Sequence, residues 1–170
     1  MGRLMRAVSR LYVDANIFIH LMEDSDDLSK ALAVLFTAQS GGRPFLATNE
    51  LTLTELLVAP YREKNDRLID RYDAWTISND QLEVRPVIRP VLWYAAVLRS
   101  KYNSLKTPDA IHVSTALGMQ CSHFLTADQR LADRYELTHE RYGTVRGPAI
   151  VDVIRPELDV VQQLIEAASR

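Results

Sequence analysis

Short apolar runs rich in β-forming residues recur along this chain. Each is followed by a helix-length stretch, and that alternation constrains the fold more than any other feature. The runs lie at 10–14, 44–48, 82–87, 122–126 and 149–154. Helical patterning predicts helices over 16–22, from the Ser25-Asp26-Asp27 cap cluster to about 40 with Gly41-Gly42 as the stop, over 49–58, and after Pro60 over 61–76. Further helices are expected over 89–103, from Thr107-Pro108-Asp109 to Gly118, from Asp128 for a short stretch, and over 156–168. Pro86 marks its strand as an edge or a strand end, and turns are expected at Gly143 and at Gly147-Pro148. Alternation of this kind gives an α/β fold with a mostly parallel sheet covered on both faces.

A chain of 170 residues with 47% hydrophobic and 25% charged side chains suits one soluble domain with a substantial core. Asp14 and His20 interrupt the most apolar early segment, so no membrane span is expected. Arg3, Arg6 and Arg10 precede it without the apolar core of a signal peptide. The single cysteine, Cys121, leaves no internal disulfide and fits a reducing, cytoplasmic setting. Net charge is −2, so any contact with nucleic acid has to come from local basic patches.

In a parallel α/β sheet every strand ends at one edge, where the next helix begins and where ligands bind. Asp14 ends the first run, and Asp128 lies just past the run at 122–126. The helix after Pro108 descends about 15 Å and the returning strand climbs about 17 Å, so Asp109 and Asp128 finish at similar height. Glu55 sits below the rim, but helical side chains lean toward their own N-terminus and glutamate is long. Four carboxylates can therefore converge. Two like charges at about 4 Å repel by about 1 kcal/mol in water and roughly 4 kcal/mol at a protein surface. A divalent cation reverses that sign, and oxygen-only ligation favours Mg²⁺ or Mn²⁺, ions that assist phosphodiester hydrolysis.

Four segments together resemble the PIN domain: Val13-Asp14-Ala15-Asn16, Leu51-Thr52-Leu53-Thr54-Glu55-Leu56, Thr107-Pro108-Asp109-Ala110-Ile111-His112 and Thr126-Ala127-Asp128. The likeness is nearest to the VapC-like ribonuclease toxins of toxin–antitoxin pairs and covers roughly residues 10–135 in order. It implies a three-layer α/β/α sandwich; the chain length suits a single domain over 1–170, in which the strand and helix of 143–170 depart from the family by running beyond its usual end. The likeness also implies a metal-dependent (Mg²⁺ or Mn²⁺) endoribonuclease with Asp14, Glu55, Asp109 and Asp128 as the acidic quartet. Asp14, Asp109 and Asp128 would hold metal, while Glu55, preferred to its neighbour Glu50 on this likeness, would bind metal or position water. Asn16 and Thr126 match polar positions that orient metal-bound water or phosphate. An antitoxin partner, an RNA substrate and a homodimer are expected on the same ground.

Each acid also has a plainer use. Asp14 and Asp128 can cap helices, each cap worth about 1 kcal/mol, and Asp109 can complement a helix dipole, worth about 0.3–1 kcal/mol. His20, His112, His123 and His139 show no ligand spacing and are assigned to packing or surface. Tyr72, Trp75, Trp93 and Tyr94 are read as core or dimer contacts. Arg62 and Lys64 suit a solvated helix face; among the cations, Arg130 is the best candidate to steer phosphate, with Lys106 a further one. Two rival functions stay open: a catalytically silent RNA- or protein-binding module, and a phosphatase using an aspartate nucleophile.

Overall fold

The computed structural model describes residues 6–38 and 41–169. The strands are β1 (Leu11–Val13), β2 (Leu46–Asn49), β3 (Leu82–Arg85), β4 (His123–Leu125), β5 (Arg134–Arg141) and β6 (Thr144–Ile154). The helices are α1 (Ala15–Glu23), α2 (Asp27–Thr37), α3 (Leu51–Glu63), α4 (Asp66–Trp75), α5 (Arg89–Lys101), α6 (Thr107–Gly118) and α7 (Leu158–Ala168).

The strands form one sheet in the order β3-β2-β1-β4-β6-β5, parallel throughout except for the β5–β6 pair. Alternating side chains along each strand feed two separate cores. Leu11, Val13, Leu46 and Leu125 join Phe18, Leu32, Leu35, Leu56, Tyr72, Val161 and Leu164 on the face covered by α1, α2, α3, α4 and α7. Tyr12, Ala47, Phe124, Val151 and Val153 join Leu98, Ala110, Val113 and Ala116 on the face covered by α5 and α6. The result is a three-layer α/β/α sandwich with a mostly parallel central sheet.

Strand order reverses at β1: the chain winds outward through β2 and β3, then returns to β4 on the opposite side of β1. The carboxyl ends of β1 and β4 therefore flank a topological switch point, the crevice where α/β sheets place their ligands. Val13 pairs with Leu125, which sets Asp14 and Thr126 side by side just beyond the sheet.

Four expectations change. Pro60 does not end its helix. α3 runs through it to Glu63, and the stop is Lys64 in the left-handed region (φ 53°), with Asn65 capping α4 by accepting from the Leu68 N–H at 3.2 Å. Asp128 starts no helix; its carboxylate is held by Arg130, and the chain goes on to the edge strand β5, whose exposed charges (Arg134, Glu140 and Arg141) disguise its alternation. Gly147-Pro148 is no turn. It lies within β6 opposite an irregularity between Leu137 and His139, and Gly147 (φ 105°) passes so close to the Leu137 carbonyl that a Cβ would sit 2.6 Å from it. The hairpin turns at Tyr142-Gly143, as expected for Gly143. The expected cap Thr107 is already the first residue of α6, which begins after Lys106 without a side-chain cap. The end expected for α2 near residue 40 lies outside the described residues, which carry that helix to Thr37.

The segment past 143 is built into the sheet. β6 lies between β4 and β5, and α7 adds Val160, Val161 and Leu164 to the core beneath α2.

Candidate metal-binding active site

Asp14 leaves β1 and caps α1, one carboxylate oxygen accepting from the Ala15 N–H at 2.8 Å. Its other oxygen accepts from Asn16 Nδ2 at 2.7 Å and from the Thr126 hydroxyl at 2.6 Å. Cap and functional acid are thus one side chain using different oxygens. Thr126, fully buried at the end of β4, also accepts from Asn16 Nδ2 and from the Asp128 N–H, both at 3.0 Å. Asn16 Oδ1 accepts from the Ala127 N–H at 2.8 Å. This closed network joins the ends of two neighbouring strands and leaves Asp14 little rotameric freedom.

Asp109 lies in the first turn of α6. Burial, and after it the negative charges of Asp14 and Asp128, push its carboxyl above the usual aspartate range. The charges of Asp14 and Asp128 thus reach Asp109, while the carboxylates of Asp109 and Asp128 are not among the ligand atoms that lie within 4.8 Å of one another. Asp128 is displaced the opposite way, down to about 2, chiefly by its hydrogen bonds from the Arg130 side chain. Arg130 donates Nε at 2.9 and 3.1 Å, Nη2 at 2.6 Å and its own backbone N–H at 2.9 Å, so it embraces the carboxylate and is not free at the rim. Arg155, just past β6, adds a smaller favourable charge.

Glu55 reaches the pocket from α3, across the edge of the sheet from α6. There it meets a residue that sequence spacing passed over. His112 Nε2 lies 3.0 Å from Glu55 Oε2, and Nδ1 lies 2.8 Å from the Tyr12 hydroxyl. A carboxylate only accepts, so Nε2 carries the proton, and Nδ1 accepts from Tyr12. Burial raises the Tyr12 hydroxyl well above its ordinary value, which keeps that donor protonated. The one available sequence signal was that His112 follows Asp109 by three residues, on the same side of a helix.

Asp14, Glu55 and His112 each bring a ligand atom within 4.8 Å of the others, the one such group among the described residues. The site fits a hard divalent cation. Two of its three donor residues are carboxylates, and the negative charges that add to burial in raising Asp109 make a field that a cation relieves. His112 suits the role of an outer partner that fixes the Glu55 carboxylate, as imidazoles and carboxylates do around many metals.

No helix among the described residues is long and apolar enough to cross a membrane. The sole cysteine, Cys121, is buried and unpaired.

The profile of the PIN domain family matches residues 11–137. No curated protein matches the chain. Among solved structures it is similar to a toxin–antitoxin complex from Klebsiella pneumoniae, with TM-score 0.51 and 21% identity over 71% of this chain and 87% of that one. It is also similar to VapBC2 from Rickettsia felis bound to a DNA fragment from their promoter, with TM-score 0.51 and 16% identity over 69% of this chain and 86% of that one. At these identities the likeness is one of fold. Because the matched stretch takes in 127 of the 170 residues, from β1 into β5 with all four acids inside it, this chain belongs to the PIN domain family.

Proposed function

We propose that this protein is a metal-dependent endoribonuclease, the toxin of a VapC-like toxin–antitoxin pair. The observation that carries the reading is the cluster at the carboxyl edge of the sheet in which Asp14, Glu55 and His112 bring ligand atoms within 4.8 Å of one another, with Asp109 and Asp128 of the same sheet edge adding negative charge. Membership of the PIN family and the likeness to toxin–antitoxin structures support the same assignment.

Asp14, Asp109 and Asp128 would hold Mg²⁺ or Mn²⁺. When bound, such an ion lowers the pKa of water and neutralises charge building at a phosphodiester. Asn16 and Thr126 keep the Asp14 carboxylate in one orientation. Glu55, oriented by the Nε2–H of His112, is placed to accept a proton from the attacking water. Arg130 sits where it can exchange Asp128 for a substrate phosphate once a cation satisfies that carboxylate. The protein partner would be a cognate antitoxin, the toxin a homodimer, and the setting the cytoplasm, where RNA is the substrate. On this reading residues 1–170 make one domain, with β6 and α7 as its C-terminal elaboration.

The test is cleavage of a structured RNA with Mn²⁺ present and after chelation, by wild type and by Asp14→Asn. Cleavage confined to wild type with Mn²⁺ is the expected result. Cleavage that persists in Asp14→Asn overturns the assignment.

A further inference from the structure

Residues 84–108 contain Arg85, Arg89, Arg99, Lys101 and Lys106 and no acid, in a chain whose net charge is −2. All five are exposed; Arg85 pairs with Glu83 at 2.5 Å and Lys101 with Glu136 at 3.6 Å, which leaves Arg89, Arg99 and Lys106 without a carboxylate partner among the described residues. They lie along α5 and at its two ends. At one end Lys106 precedes α6, whose first turn carries Asp109. At the other end α5 meets the far half of the β5–β6 hairpin. There the Arg141 guanidinium lies 4.9 Å from the ring centre of Trp93 and 5.1 Å from that of Tyr142. The Trp93 ring is 44% exposed and Tyr142 is 93% exposed. Two shallow grooves open beside this stack. One of about 570 Å³ runs along α5 past Arg89, Leu92 and Trp93; the other, of about 470 Å³, lies between Arg141 and Arg146 on the hairpin. Arg141, Tyr142 and Arg146 lie beyond residue 137, where the family match ends.

We infer that this face is a binding track for single-stranded RNA, running from the hairpin tip along α5 to the acidic pocket. The inference rests on the reading of the chain as an RNA-cleaving enzyme. A guanidinium stacked on rings keeps its N–H edge free for phosphate oxygens. Exposed aromatic faces accept any base, and a row of cations follows the backbone. Of the hairpin's acids, Glu136 lies 3.6 Å from Lys101 and Asp152 2.6 Å from Arg134, which leaves Glu140 as the one acid beside Arg141 and Arg146 in its far half. A second copy of this chain is the poorer occupant. A two-fold interface sets a patch against itself, which here opposes Arg89, Arg99 and Lys106 to a second copy of the same three cations.

The test is anisotropy of a short fluorescein-labelled oligouridylate in chelator, so that binding is read without cleavage, across a range of salt. Arg141→Ala and Tyr142→Ala are each expected to weaken binding about tenfold. The arginine variant also reduces the salt slope by about 0.7, the value of one phosphate contact on a single strand. Tyr142 is so exposed that its removal leaves the fold intact, which an unchanged melting curve checks. Binding unchanged in both hairpin variants overturns the track, and if wild type still cleaves RNA the nuclease reading survives. A change in molecular mass with unchanged RNA binding also overturns it and marks a protein interface. If wild type neither binds nor cleaves RNA, the nuclease reading falls first and the track with it.

Discussion

Nε2 of His112 lies 3.0 Å from Oε2 of Glu55, joining α6 on one face of the sheet to α3 on the other across the edge where the acids gather. His112 is 1% exposed and its other nitrogen is taken by Tyr12, which has no exposed surface. Removing the imidazole strands a buried hydroxyl. His112→Ala should therefore lose about 1–3 kcal/mol for that group, with a cavity penalty added, read by urea denaturation. Glu55→Gln still accepts from Nε2–H, so it should melt near wild type while RNA cleavage falls about a hundredfold or more. Parallel losses of stability in both variants would show that the pair is structural alone.

Thr126 serves Asp14, Asn16 and Asp128 with one hydroxyl. Thr126→Val keeps the shape and removes all three contacts. A loss of about 1–3 kcal/mol is expected in chemical denaturation, along with weaker Mn²⁺ binding by calorimetry. Thr126→Ser keeps the hydroxyl and should retain most of both.

The Asp109 carboxyl titrates above its ordinary value because of burial and the charges of Asp14 and Asp128. A carboxyl raised by folding opposes folding while it is ionised, and that opposition fades as pH falls through its folded pKa. Metal-free Asp109→Asn should thus melt above wild type at neutral pH, with the gap closing on acidification. Added Mn²⁺ should reverse the order, since it stabilises the chain that binds it better. Equal melting curves under chelation at every pH would refute the shared pocket.

Asp128 shows the opposite sign. Arg130 holds its carboxyl down at about 2, so the favourable contribution is present above the ordinary aspartate range and lost as pH falls through about 2. Arg130→Gln should return the Asp128 titration toward its ordinary value, followed by carboxyl NMR shifts. Mn²⁺ affinity should rise because the carboxylate is no longer shared. Stability at neutral pH should fall modestly along with that return, solvent screening keeping the loss small because Arg130 is largely exposed.

Leu164 of α7 is fully buried in the cluster that holds Leu32 and Leu35 of α2. Leu164→Ala should cost about 2–5 kcal/mol in urea denaturation, although it lies beyond the segment matched by the family profile. A cost near zero would mean that α7 is a dispensable appendage.

Much of this architecture is legible in the chain. Strands at 11–13, 46–49, 82–85 and 123–125 and six of the seven described helices arise where apolar periodicity and turn residues place them, within a few residues. Two places escaped. In β5, charged residues hide an alternation that becomes meaningful only when Tyr135 and Leu137 find α5, α6 and Tyr102 to pack against. In α3, Pro60 reads as a breaker, yet the turn containing it is held by the Asn65 N–H donating to its carbonyl at 2.9 Å.

Local information decided the kind and order of most elements and nominated Asp14, Asp109 and Asp128, while Glu55 was chosen over Glu50 on the likeness to the PIN domain. Periodicity, caps and the edge rule of parallel sheets act within one element or its immediate successor. Only the folded chain decided that His112 holds Glu55, that Arg130 closes on Asp128 and that Asn16 and Thr126 lock Asp14. Those outcomes depend on distances between side chains that lie far apart in sequence or on chain direction after a strand, and hydrogen bonding changes steeply over a fraction of an ångström.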